Sequence, residues 1–133
     1  MTDSPDKTPV VLVADDDKDL LEFLVLRLGR EPWDFRKASD GQEAQDILLT
    51  REVDVAVLDL KMPKLDALNI LKSVQQEGVE SDIIILTGYA TVESAVLAMR
   101  RGARDFLQKP FKTEELLTIV RRLLDVRYPS TRT

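Results

Sequence analysis

Val10-Val11-Leu12-Val13-Ala14-Asp15-Asp16-Asp17 decides the fold, because five apolar residues run without a polar interruption into three acids. A strand with one wet face alternates apolar and polar side chains. An unbroken apolar run is buried on both faces, as the interior strands of a parallel sheet are. The acids mark where that strand ends. Two carboxylates about 4 Å apart repel by roughly 4 kcal/mol at an effective dielectric of about 20, so such a cluster calls for a cation.

Four more strand-like runs follow, at residues 33–38, 53–58, 82–86 and 104–108. Those at 53 and 82 are again nearly continuous in apolar residues, whereas those at 33 and 104 alternate with polar ones and read as edges. Between and after them lie stripes at helical spacing. Leu21, Leu24, Val25 and Leu28 form the first, and Ala44, Ile47 and Leu48 a second that lapses at Arg51. Ala67, Ile70, Leu71 and Val74 form the third, Val92, Ala95, Val96 and Met99 the fourth, and Leu116, Ile119, Val120 and Leu123 the fifth. Each stripe suits a helix packed on a sheet. Asp40-Gly41 reads as a turn. Alternating strand and helix gives an α/β, doubly wound five-stranded parallel sheet, and the order 2-1-3-4-5 places the two alternating runs outside.

At 133 residues with 44% hydrophobic content, the chain has the length of one domain and enough apolar mass for one core. Without cysteine or histidine it offers no disulfide, no thiol nucleophile, no usual zinc site and no Ser-His catalysis. Oxygen ligands and hard cations remain. A net charge of −5 opposes direct binding to nucleic acid, and no segment has the length of a membrane span. A cytoplasmic location is expected. Residues 1–9 read as a flexible polar arm, 10–126 as the domain, and 127–133 as a tail or the start of a linker.

In a doubly wound sheet, ligands collect beyond the carboxyl ends of the strands. The residues closing each run are Asp15 and Asp16, Asp59, Thr87, and Lys109 followed by Pro110. Three acids, a hydroxyl and an ammonium are the inventory for a magnesium ion and a phosphoryl group. Each has a plainer reading. Asp17 and Asp19 are better explained as helix-starting acids, and Thr87 or Lys109 alone would be a loop residue. Phe106 reads equally as core, and Arg100, Arg101, Arg104, Arg121 and Arg122 as solvated helix ends.

Four stretches in order carry a resemblance. They are the acids after strand one, Val57-Leu58-Asp59-Leu60-Lys61-Met62-Pro63, Leu86-Thr87-Gly88-Tyr89-Ala90, and Asp105-Phe106-Leu107-Gln108-Lys109-Pro110-Phe111. Together they resemble the CheY-like receiver domain of bacterial two-component response regulators, a flavodoxin-like (βα)5 sandwich. The wording from Gly88 to Phe111 is similar to receivers joined to sigma-54-dependent activators. The resemblance implies a signalling phosphoacceptor that catalyses only its own phosphorylation and dephosphorylation. Asp59 would take the phosphoryl group from a histidine kinase, with Asp16 ligating Mg2+ (or Mn2+) directly, Asp15 through water, and the Lys61 backbone carbonyl adding another ligand. Thr87 and Lys109 would hold phosphoryl oxygens, and the Lys109–Pro110 peptide would be cis. Thr87 and Phe106 would form the switch, while Lys61 and Tyr89 would tune phosphoryl lifetime. Kinase docking would use residues 18–21 and 110–113. The fourth helix, fifth strand and fifth helix, with Leu97 exposed, would face an output domain, an effector or a second copy.

One departure stands out. The loop after Met62-Pro63 commonly carries Asp-Gly, and this chain has Asp66-Ala67. If that glycine serves a positive φ, alanine would strain the loop or shift it. Other functions fit less well. A phosphatase with an aspartyl nucleophile needs an acid at position 61, which is lysine, and nucleotide binding needs a glycine-rich loop where Asp15–Asp17 stand. A receiver-like module that never takes phosphate would not need the full acidic set.

Overall fold

A computed structural model describes residues 8–129. Positions 1–7 of the expected arm and 130–133 of the expected tail lie outside the described residues. The chain alternates β1 (Val10–Ala14), α1 (Lys18–Leu28), β2 (Asp34–Ala38), α2 (Gly41–Leu48), β3 (Val55–Asp59), α3 (Ala67–Gln76), β4 (Asp82–Thr87), α4 (Val92–Arg100), β5 (Asp105–Gln108) and α5 (Thr113–Arg127). All strand pairs are parallel and the sheet order is β2-β1-β3-β4-β5, as expected.

The two-residue period of the strands divides the core into two layers. Leu12, Ala14, Ala56, Leu58, Ile83 and Ile85 join the side chains of α2 and α3 on one face. Val11, Val13, Val55, Val57, Ile84 and Leu86 meet α1 and α5 on the other. Every residue of β3 is buried, which is why its sequence shows no alternation.

Two stripes sit differently from the sequence reading. In α4 three of the four predicted core residues face water, Val92 at 80% exposed, Val96 at 44% and Met99 at 48%, while Ala95 is half-buried. The helix instead packs through Ala98, its one buried residue, whose small side chain permits a close approach. In α5 the buried set is Leu116, Leu117, Val120 and Leu124, while Ile119 and Leu123 are half-buried. The helix is rotated so that the apolar stripe straddles core and surface. Leu97 is exposed, as anticipated. Arg121 is more than a solvated helix end, since it pairs with Glu31 at 2.9 Å, and Glu31 in turn with Arg27 at 3.2 Å.

The chain's last described turn departs from the expected tail. Arg127 is the final helical residue, and Tyr128 packs on the core and donates its hydroxyl to Asp54 Oδ1 at 2.7 Å. Among the described residues no helix is long and apolar enough to cross a membrane.

Candidate functional site

Parallel pairing brings the strand ends to one pole. Asp59 closes β3 opposite Leu86 of β4, and Thr87 closes β4 opposite Gln108 of β5, so Asp59, Thr87 and Lys109 become neighbours of the β1 acids. The carboxylates of Asp15, Asp16 and Asp59 each place an oxygen within 4.8 Å of the others. Asp15 and Asp59 are buried and Asp16 is exposed. Asp17 turns away to cap α1, accepting from the amides of Asp19 and Leu20 at 3.1 Å, the plain role expected of it.

Lys109 lies across the cluster. Its Nζ donates to Asp15 Oδ2 at 2.8 Å and to Asp59 Oδ1 at 3.3 Å. One ammonium against three carboxylates leaves a local charge of −2 when all are ionised. Burial pushes the Asp59 carboxyl up to about 6, the Asp15 charge adds to the rise, and Lys109 opposes it. For Lys109, burial favours the neutral amine, yet the hydrogen bond and charge of Asp15, joined by Asp59, outweigh it and hold the group above the ordinary lysine value.

Thr87 is fully buried, and its Oγ1 accepts the Tyr89 amide at 2.9 Å. Tyr89 itself is 71% exposed, with the Lys61 Nζ 5.5 Å from its ring centroid. Phe106 is half-buried against the α2 and α3 layer, on the same side as Leu58 and Ile85. The Lys109–Pro110 peptide is cis.

The concern over Ala67 is overturned. Ala67 is the first residue of α3 behind the Asp66 cap, and its amide donates to Leu60 O at 3.0 Å. The left-handed residue of this loop is Lys64, with φ of 72°. A methyl group at 67 therefore meets no conformational penalty, and it is buried in the core.

Comparison with known proteins gives the family. Residues 11–121 match the response regulator receiver domain family. The chain belongs to that family. As a receiver domain it is 38% identical over 114 residues to response regulator MprA of Mycolicibacterium vanbaalenii, covering 86% of this chain and 49% of that one. The MprA of Mycobacterium avium is equally similar, with 50% of its length covered. The chain thus spans about half the length of the curated relatives it matches. Among solved structures, the receiver domain of the Francisella response regulator 1452 is 34% identical with a TM-score of 0.84, covering 90% of this chain and 99% of that one. The beryllofluoride-activated NtrC4 receiver domain dimer is 31% identical with a TM-score of 0.80, covering 88% and 97%. The chain is thus a signalling domain, with a cluster of acids that could hold a metal.

The residues at the strand ends are legible in the sequence, whereas what braces them is not. Gly41, a turn residue by its sequence, opens α2 with its amide donating to Pro63 O at 3.1 Å. Its partner is distant in sequence, and nothing local in Asp40-Gly41 announces the contact.

Proposed function

We propose that Asp59 accepts a phosphoryl group from a phosphohistidine on a partner kinase. The observation that carries this reading is the placement of Asp59: a buried strand-end carboxylate beside Asp15, with Lys109 bridging the two. An Asp59 oxygen attacks phosphorus in line, the P–O bond forms as the P–N bond breaks, and the imidazole leaves with the electron pair. Lys109 and the Thr87 hydroxyl take up equatorial phosphoryl oxygens, charge meeting charge and donor meeting acceptor.

Residues that would hold a divalent cation, magnesium or manganese, are Asp16 and Asp59 directly, Asp15 through water, and the Lys61 carbonyl. Their donors are all hard oxygens. The three carboxylates each bring an oxygen within 4.8 Å of the others, a grouping that one small hard cation and a bridging water could span. When bound, the cation neutralises charge on the phosphoryl oxygens and the carboxylates together.

Output follows from a coupled move of Thr87 and Phe106, read on the α4–β5–α5 face. There Met99, Ile119 and Leu123 line a groove of about 310 Å3 with Arg104, Asp105 and Arg122 at its sides. A second copy, an effector or an attached output domain of a transcription regulator would take this face. The kinase would dock at the start of α1 and on residues 110–113, in the cytoplasm. Lys61 and Tyr89 would set the phosphoryl lifetime.

The test is incubation with acetyl phosphate, with and without Mg2+, read by intact mass beside Asp59→Asn. A single adduct that requires both Mg2+ and Asp59 is expected. No adduct on the wild-type chain with hydrolysis quenched would favour a constitutive binding module.

A further inference from the structure

The loop that carries Lys61, between β3 and α3, is held at two places. At its base it is tied to the sheet and to itself: the Leu60 amide donates to Leu86 O at 2.9 Å and the Ala67 amide to Leu60 O at 3.0 Å. At its tip it leans on the start of α2. There the Gly41 amide donates to Pro63 O at 3.1 Å, and Lys64 Nζ reaches Asp40 Oδ2 at 3.3 Å. Pro63 O also accepts the Leu65 amide at 2.8 Å, so the tip is a tight turn with Lys64 in the left-handed region at φ 72°.

Contact at the tip is closer than any side chain allows. A Cβ built on Gly41 would lie 1.6 Å from Leu65 O and 2.6 Å from Leu65 C. Both are backbone atoms, and no rotamer change relieves them. Gly41 is buried and helical, so the requirement is for space and not for an unusual φ.

We propose that Gly41 is a positioning residue for the cation site, acting through the loop tip on the Lys61 carbonyl; this rests on the metal reading given above. Because the base of the loop is fixed to β4, a tip pushed away from α2 takes up its displacement across residues 61–66. Lys61 is the first of these. A carbonyl ligand that shifts by a few tenths of an ångström no longer meets the tight octahedral geometry magnesium demands. Groups that only orient a ligand commonly change metal affinity by about 10–100-fold when altered.

The experiment is a Mg2+ titration of the chain followed by backbone amide resonances, on wild type and on Gly41→Ala, with circular dichroism to show that the variant is folded. A folded Gly41→Ala that binds Mg2+ about tenfold more weakly is expected. Equal affinity in a folded variant would overturn the proposal while leaving the metal reading intact. Should the variant not fold, wild type alone decides. Coupling is reciprocal, so saturating Mg2+ must slow hydrogen exchange at the Gly41 amide, and an unchanged exchange rate would overturn the proposal. Wild-type resonances at Asp16 and Asp59 that ignore Mg2+ would remove the metal reading itself, and the proposal with it.

Discussion

Lys109 Nζ sits 2.8 Å from Asp15 and 3.3 Å from Asp59, so its closer partner is the β1 acid and not the strand-end carboxylate beside it. The ammonium is the positive charge that makes this crowd of acids tolerable. Lys109→Ala would leave Asp15, 1% exposed, beside Asp59 with no cationic neighbour from β5. Removing one partner of a buried pair costs about 3–5 kcal/mol, and the partial exposure of Lys109 brings the expectation here to about 1–3 kcal/mol. Urea unfolding in chelator at pH 7.5 should show that loss, and millimolar Mg2+ should recover part of it. An equally stable variant would mean the acids are relieved by water and by the Asp17 amide, which donates to Asp15 Oδ1 at 2.9 Å.

Asp59 sets a pH dependence of opposite sense to an ordinary salt-bridged acid. Its folded pKa stands at about 6 against an ordinary 3.8, so the folded state binds the proton more tightly than the unfolded chain does. Stability from this group is therefore full below about pH 4 and is lost as pH rises through about 6. Above that window the cost approaches about 3 kcal/mol at most. Asp59→Asn, which cannot ionise, should raise the midpoint of thermal unfolding at pH 7.5 in metal-free buffer. The gain should shrink below pH 6 and vanish near pH 4. A gain independent of pH would show that charge is not its origin.

How much of this was legible depends on where each signal is encoded. The unbroken run Val10–Ala14 and the largely polar β2, in which only Ala38 is buried, signal interior and edge locally, so sheet order and edges follow from the sequence. The acids and Lys109 close adjacent strands, and parallel pairing necessarily gathers them. By contrast, the face α4 buries depends on how close Ala98 comes to the sheet, and four apolar residues at helical spacing do not encode that distance. Gly41 against Leu65, and Tyr128 against Asp54, are contacts between segments 24 and 74 residues apart in sequence with no local pattern.

Tyr89, two residues past Thr87, and Lys61, two residues past Asp59, meet with the ammonium 5.5 Å from the ring centroid. A contact of this kind at an exposed position is worth about 0.5–1 kcal/mol, enough to bias the ring toward one placement. Under the lifetime role proposed for the pair, the ring would obstruct water attacking a phosphoryl group on Asp59. Tyr89→Ala should shorten the lifetime of the aspartyl phosphate by about three- to tenfold, equivalent to about 1 kcal/mol of barrier. Lys61→Ala should act in the same direction and less strongly. Decay followed by intact mass measures both, and an unchanged lifetime in Tyr89→Ala would sink the obstruction.

The outward turn of α4 makes a prediction that separates stability from function. Val92 and Val96 are 80% and 44% exposed, so Val92→Ser and Val96→Ser should change unfolding free energy by no more than about 0.5 kcal/mol. Ala98→Leu, which forces two more methyl groups and a methine into a closed contact, should cost about 1–3 kcal/mol. If instead the valine variants lose stability comparably, the helix buries the stripe that its spacing suggests.

At the opposite pole of the sheet, Asp54 receives three groups: the Val10 amide at 2.9 Å, the Tyr128 hydroxyl at 2.7 Å and the Arg127 guanidinium at 3.6 Å. Arg127 also binds Asp82 at 2.9 Å and the Glu80 carbonyl, so the end of α5 is fastened to the starts of β3 and β4. Tyr128→Phe removes one hydroxyl from a carboxylate only 8% exposed, and the remaining donors must carry its charge. The loss should be about 1–2 kcal/mol in chemical unfolding. Asp54 lies five residues before Asp59 along the same chain direction, roughly 16 Å at strand rise, so Mg2+-dependent phosphorylation should keep its wild-type rate. A slowed rate with unchanged stability would instead show that the fastening of α5 is felt at the acid site through the length of β3.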